Sequence, residues 1–155
     1  MLIRHGDRQE TLLTSKNALN VSSFGGKKMA NYLTYYVSVQ SVNGTWTSGY
    51  CQEKDATPKP TRKPDKPDNV SATGKYRSVV VSWKNMEDTL SYNLYYKESS
   101  AGEYQKLEGI KENGYTLTDL KDLTEYTVYV TGVNEFGESG ASLPAAATTT
   151  TLDPA

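Results

Sequence analysis

Apolar and polar residues alternate along much of this chain, most clearly at Tyr126-Thr-Val-Tyr-Val-Thr-Gly-Val-Asn134. Tyr126, Val128 and Val130 fall on one side and Thr127, Tyr129 and Thr131 on the other, which is the period of a strand with one buried face. The same pattern occurs at Tyr35-Tyr-Val-Ser-Val-Gln-Ser-Val-Asn43. Laid together without gaps, Tyr35 falls on Tyr126, Val37 on Val128, Val39 on Val130, Val42 on Val133 and Asn43 on Asn134. The register holds as far as Ser48-Gly49 on Ser139-Gly140. The two stretches read as one strand in two copies of a repeat, and Val37 and Val39 are expected to be covered.

Around the second stretch the strand signals come at short, regular spacing. Asn69-Val-Ser-Ala-Thr73 predicts a first strand, and Ser78 to Trp83 a second with Val79, Val81 and Trp83 on one face. Lys84 to Leu90 is a polar loop. Tyr92, Leu94 and Tyr96 line the inner face of a third strand, with Tyr95 and Lys97 outward. A short strand near Tyr104–Leu107, one marked by Tyr115, Leu117 and Leu120, the strand from Tyr126, and a last one from Ala141 to Thr149 complete the set.

Around the first stretch the signals are sparser. Met1 to Asn20 is poorly patterned, and Leu12-Leu13 and Leu19-Val21 suggest short strands. Phe24-Gly-Gly-Lys-Lys28 reads as a turn, since adjacent glycines permit positive φ. A strand is expected over Leu33–Asn43, with a tight turn at Asn43-Gly44 and a return strand over Trp46–Glu53. Between the halves, Asp55 to Asp68 holds four of the chain's six prolines at spacings that favour an extended, semi-rigid linker.

Composition narrows the function. The chain has 155 residues, 23% of them charged, and a formal net charge of −1, so nothing in the overall balance points to nucleic acid or an anionic membrane. No apolar run approaches the roughly 20 residues of a membrane span, and Met1-Leu-Ile-Arg-His has no signal-peptide pattern. The 12 tyrosines suit a thin β-sandwich, because each buries a ring and keeps a polar tip in water. Cys51, the only cysteine, excludes an intrachain disulfide and a cysteine zinc cluster. It is expected to be a partly buried small residue.

Residues 65 to 150 resemble a fibronectin type III domain. The matches are Pro67 with Asn69-Val70, Trp83 ending the second strand, Tyr92-x-Leu94-x-Tyr96, Leu117-x-x-Leu120, Thr124-x-Tyr126-x-Val128-x-Val130, and Val133-Asn134 leading to Gly137. The resemblance implies an all-β, immunoglobulin-like sandwich of seven strands, with Tyr126 as the corner tyrosine whose hydroxyl bonds to backbone a few residues upstream. The expected organisation is a partial unit of the same kind over residues 1–57, a Pro-rich linker over 58–66, the complete domain over 67–150 and a tail over 151–155. Residues 10–57 resemble the C-terminal part of a second copy. There the tryptophan-bearing strand, the strand after it and the leucine pair before Tyr35 are missing. Such a half cannot bury enough surface to fold alone. The chain is therefore expected to be cut from a longer one, with strands from another molecule or packing on the second unit as alternatives.

Little catalytic chemistry is visible. Arg4-His5-Gly resembles the Arg-His-Gly signature of histidine phosphatases, but that family uses a second histidine and a large α/β domain, and His5 is the only histidine here. No Ser-His-Asp or Cys-His set and no phosphate-binding glycine loop is present. Glu135, Glu138, Glu87 and Asp88 read as solvated or ion-paired loop acids. No enzyme activity, cofactor or metal is expected. The loop Glu135-Phe-Gly-Glu-Ser lacks the Arg-Gly-Asp of adhesion modules. Trp46, Tyr50, Tyr95, Tyr129 and Phe136 are the candidate ligand-binding aromatics, against the alternative of cross-strand packing on a solvated face. Asn20, Asn43 and Asn69 open Asn-x-Ser/Thr sequons. The resemblance implies an extracellular, secreted or cell-surface spacer whose partners are neighbouring domains of the same polypeptide, for instance as an accessory of a carbohydrate-active enzyme. The competing class is a module binding polysaccharide or a surface protein through its aromatics or the loops 84–90 and 135–140.

Overall fold

The computed structural model describes residues 1–11 and 21–152, and its chain divides into two compact units, Met1–Pro60 and Thr61–Ala155. The strands suggested at Leu12-Leu13 and at Leu19-Asn20, and the sequon at Asn20, lie outside the described residues. All regular elements among them are strands.

The second unit contains β9 (Ser71–Lys75), β10 (Ser78–Ser82), β11 (Ser91–Glu98), β12 (Gln105–Ile110), β13 (Gly114–Leu117), β14 (Glu125–Asn134), β15 (Gly137–Glu138) and β16 (Ala145–Thr148), numbered in chain order after the strands of the first unit. One sheet runs β13-β10-β9. The other runs β12-β11-β14-β15, with β16 also paired to β14. All these ladders are antiparallel, and an isolated parallel bridge from Tyr76 to Thr150 ties the first strand to the end of the last. The alternation of the sequence is the alternation of the faces. Val79, Val81, Trp83, Tyr92, Leu94, Leu117, Leu120, Tyr126, Val128 and Val130 form one buried core between the sheets. Each contributes roughly 1.5–3 kcal/mol on burial. The Trp83 and Tyr92 rings meet edge-on at 5.3 Å. The Tyr126 hydroxyl accepts from the Lys121 amide at 3.2 Å, five residues upstream, so the expected tyrosine corner is present.

The last strand is shorter than expected, Ala145–Thr148 rather than Ala141–Thr149. Pro144 has no N–H to give a ladder, and Ser142 instead bonds back to Val130, through its amide at 2.9 Å and its hydroxyl at 3.0 Å. Leu120 joins the core from beyond the end of β13.

The first unit contains β1 (Leu2–His5), β2 (Arg8–Thr11), β3 (Ser23–Phe24), β4 (Lys27–Lys28), β5 (Tyr35–Ser38), β6 (Val42–Asn43), β7 (Trp46–Thr47) and β8 (Lys54–Ala56). Its main sheet has the order β2-β1-β5-β8, with separate hairpins β3–β4 and β6–β7. The poorly patterned start is thus a hairpin, and Ile3 is fully buried with Phe24 and Tyr35, flanked by Met1, Val21, Met29 and Val37. The strand expected over Leu33–Asn43 divides in two. Its ladder with β1 stops at Ser38, whereas in the second unit β11 pairs β14 as far as Val133. Of the return strand expected over Trp46–Glu53 only β7 forms, and β8 begins just past its end. Val39 is 50% exposed, which corrects the expectation that both valines are covered.

The repeat extends to individual pairings. Tyr35 pairs Ala56 and Val37 pairs Lys54 as Tyr126 pairs Ala147 and Val128 pairs Ala145. Ile3 stands opposite Val37 where Tyr96 stands opposite Val128. β1 thus occupies the place of the strand that follows the tryptophan strand, which the sequence pattern treats as missing. The Pro-rich stretch is shared between the units, and Pro60, Pro64 and Pro67 in it are buried. Asn134 donates to the Arg62 carbonyl at 2.9 Å and the Asp88 carbonyl at 3.0 Å, holding residues that read as linker against the end of β14.

Candidate functional site

The outer face of β12-β11-β14 gathers a cluster of aromatic and charged side chains. The register sets Lys106 opposite Tyr95 and Tyr95 opposite Tyr129, so three consecutive strands contribute one row. The Tyr95 and Tyr129 rings stack at 4.6 Å with 12° between planes, and Tyr104 meets Tyr129 edge-on at 4.9 Å. Lys106 Nζ lies 5.4 Å from the Tyr95 ring centre and Lys97 Nζ 5.0 Å from that of Tyr104.

Glu138, on β15, closes the row. Its Oε1 accepts from the Tyr95 hydroxyl at 2.7 Å and the Thr131 hydroxyl at 2.5 Å, and Lys106 Nζ lies 3.4 Å from its Oε2. Burial alone would push this carboxyl up. Hydrogen bonds from Thr131, Tyr95 and Asn93 and the charge of Lys106 outweigh it and hold the carboxyl at about 2. Lys106 also reaches Glu108 at 2.6 Å, and this bond, with Tyr95, raises its ammonium. Burial, and then the hydrogen bond to Glu138, pushes the Tyr95 phenol up. Burial, and then Tyr104, does the same to Tyr129.

This arrangement holds a sheet face together rather than offering it. One face of Tyr95 lies on Tyr129, Lys106 approaches the same ring, and the Tyr95 hydroxyl is committed to Glu138. Tyr104, Thr131 and Lys106 were not among the sequence candidates, and Glu138 entered only as part of the loop 135–140. Glu138 read as a loop acid because its strand, β15, is two residues long.

The five candidate aromatics are divided between the two units. Tyr95 and Tyr129 form the stack, while Phe136 is exposed at the turn from β14 to β15. In the first unit, Trp46 on β7 is 81% exposed and Tyr50 is exposed. Cys51 is exposed rather than partly buried, and its Sγ accepts from the Val39 amide at 3.2 Å.

The Arg4-His5-Gly stretch does not form a phosphate clamp. Arg4 and His5 are successive in β1 and point to opposite faces. Arg4 is held by Glu53, Nη2 to Oε2 at 3.0 Å, with its guanidinium 4.3 Å from the Tyr36 ring centre. His5 Nδ1 lies 2.8 Å from the Thr34 carbonyl oxygen, with its ring against Tyr35. Among the described residues, no group of three or more His, Cys, Asp and Glu side chains is placed to hold a metal ion, and no helix is long and apolar enough to cross a membrane. A shallow cavity of about 410 Å³ between Tyr96, Gln105, Asp119 and Tyr126 is bridged by the Lys121–Glu98 ion pair at 2.6 Å.

Two stacked sheets with the tyrosine corner define an immunoglobulin-like β-sandwich module. The family model for the fibronectin type III domain matches residues 65–148, and the chain belongs to that family. Members of the family are generally non-catalytic modules within larger proteins. The chain is 36% identical over 80 residues to the tail tube protein gp17.1* of Bacillus phage SPP1, covering 51% of this chain and 28% of that protein. It is 24% identical over 144 residues to contactin-3 of Rattus norvegicus, covering 89% of this chain and 14% of that protein. The chain thus spans only a small part of the curated relatives it matches. The FN1–FN3 domains of chicken CNTN1 share the fold, with a TM-score of 0.55 at 18% identity over 81% of this chain and 46% of theirs.

Proposed function

We propose that this chain is a non-catalytic fibronectin type III spacer, setting distance and orientation between other parts of a larger extracellular or surface-displayed protein. The observation that carries the proposal is the outer face of β12-β11-β14. Its aromatic rings stack on one another, and the Tyr95 hydroxyl and Glu138 are bound within the row, so this polar–aromatic cluster is already satisfied. The short span of the chain within its relatives is in keeping with a module inside something longer. The tail tube protein and contactin-3 suggest a particle surface and a multi-module protein as two settings, and an accessory position beside a carbohydrate-active enzyme is a third.

A second reading is favoured by one observation, the 81% exposure of Trp46 on the β6–β7 hairpin. An isolated ring presented this openly suits a polysaccharide or protein surface. A glycan array and a pull-down with the whole chain separate the two. The spacer reading expects no saturable binding, and binding that disappears in Trp46→Ala would replace it with the binding module.

A further inference from the structure

The proline-rich stretch Asp55–Asp68 carries four basic residues, Lys59, Arg62, Lys63 and Lys66. Each of the three lysines is followed by proline, at Pro60, Pro64 and Pro67. A protease that cuts after a basic residue rejects such bonds, because proline lacks the N–H and its ring crowds the scissile peptide. By sequence, Arg62–Lys63 is therefore the one bond of the stretch open to that class of enzyme.

The second unit holds that bond at two points. The Arg62 carbonyl oxygen accepts from Asn134 Nδ2 at 2.9 Å. The Arg62 guanidinium meets Asp65 as a fork, Nη1 to Oδ1 at 2.7 Å and Nη2 to Oδ2 at 3.1 Å. Asn134 is itself fixed at the end of β14. It is buried, its Nδ2 also donates to the Asp88 carbonyl at 3.0 Å, and its Oδ1 accepts from the Phe136 amide at 2.8 Å. The two residues after Arg62 lie against the same end of the sheet. A Cβ on Gly137 would stand 3.1 Å from Lys63 Cε, and one on Gly132 would stand 3.4 Å from Cβ of the buried Pro64. A serine protease of basic specificity needs the scissile carbonyl in its oxyanion hole and the basic side chain in its acidic pocket. Both groups of Arg62 already have partners, and Asn134 and Asp65 have to release them first.

We propose that Arg62–Lys63 is a latched cleavage site for proteases that cut after basic residues, closed by Asn134 while the β14–β15 end is folded. In the cut, water adds across the bond from the Arg62 carbonyl carbon to the Lys63 nitrogen. It leaves a carboxylate on Arg62 and an amine on Lys63, and parts residues 1–62 from 63–155. The prolines keep the other basic positions of the stretch closed whether the latch is shut or open. Asn134 is the stronger restraint, because its bond is partly buried, whereas the Asp65 pair is 67% exposed on both sides and correspondingly weak. The latch keeps the two units joined while the end of β14 is intact and lets them be parted once it opens. It does not depend on the spacer role.

The test is limited digestion of the whole chain with trypsin, following the new ends at Arg62 and Lys63 by mass spectrometry. The expected result is that this bond is cut about tenfold or more slowly than the bonds after Lys27 and Lys28, which are exposed in the β3–β4 hairpin. Cutting after Lys59, Lys63 and Lys66 should be absent. Asn134→Ala should speed the cut at Arg62 by about tenfold or more and leave the rate after Lys28 unchanged. Hydrogen exchange at Val128 and Val130 reports whether that variant keeps its second unit folded. Asp65→Ala, at an exposed position, decides the matter if it does not, with the cut expected to speed about twofold. Three results would overturn the proposal. They are cutting at Arg62 as fast as at the hairpin lysines in the unaltered chain, no acceleration in a folded Asn134→Ala chain or in Asp65→Ala, and acceleration matched at Lys97 of β11.

Discussion

The two β-hairpins that begin at Tyr35 and at Tyr126 are nearly the same object in two surroundings. In one, the Tyr35 hydroxyl accepts from the Ala30 amide at 3.0 Å, and in the other Tyr126 accepts from Lys121 at 3.2 Å. Ser41 bonds through its amide to the Ser48 hydroxyl at 2.9 Å, as Gly132 does to Ser139 at 2.9 Å. The Cys51 amide reaches the Val39 carbonyl at 2.7 Å, as the Ser142 amide reaches Val130 at 2.9 Å. Yet Val130 is fully buried and Val39 is half-exposed. Local sequence therefore dictates the hairpin's hydrogen bonds, and the opposite sheet decides whether its apolar face counts toward stability. Hydrogen bonds of this kind contribute about 1 kcal/mol each net, and less where water competes. At this position the full burial term is present in one copy only.

The sharpest way to break the comparison is a charge at matched positions. Val130→Asp should cost about 4 kcal/mol or more, because the carboxylate has neither water nor a partner in the core. Val39→Asp should fall within about 0.5 kcal/mol. Urea unfolding followed by signals from each unit reads both, and equal losses would mean that the two faces are equally covered.

Acid separates the copies next. Glu138 has no counterpart in the first hairpin, where Thr47 holds the equivalent place. Its folded value of about 2 lies below the ordinary 4.5, so its stabilisation is complete above pH 4.5 and is lost as pH falls toward 2. Its side chain is 32% exposed, and after screening the loss should be about 1–2 kcal/mol. Glu138→Gln should flatten the dependence in the second unit and leave the first unchanged.

Smaller effects test what the copies share. Tyr126→Phe and Tyr35→Phe should each lose about 1 kcal/mol, since each leaves one backbone amide without its acceptor. The smallest effect is at the thiol. Cys51 and Ser142 make corresponding bonds, Val39 N to Sγ at 3.2 Å and Val130 N to Oγ at 3.0 Å. Cys51→Ser should therefore be neutral within about 0.5 kcal/mol, and Ser142→Cys should cost about 0.5–1 kcal/mol, because sulfur is the weaker acceptor. Thermal unfolding at matched concentration resolves both.

The second unit was legible because its strands repeat the period of a half-buried sheet, so the alternation alone places Trp83, Tyr92, Leu94, Tyr126, Val128 and Val130 in the core. What escaped was set by tertiary pairing. Ile3 is a single buried residue in a four-residue strand, too short to register as a period. Arg77 takes a φ of 47° in the β9–β10 turn without glycine or asparagine to announce it. Of the candidate aromatics, Tyr95 and Tyr129 were correctly placed on the outer face. Their stacking, and the role of Glu138, depended on a cross-strand register that a single strand does not encode.

Amide hydrogen exchange of the whole chain, compared at Val39 and Val130, tests the central claim most directly. Both amides donate to the side chain that follows their hairpin, so hydrogen bonding alone would protect them alike. Exposure predicts that Val39 exchanges by local opening and Val130 only on unfolding of its unit, with rates separated by about a hundredfold or more. Equal protection at the two amides would contradict the account.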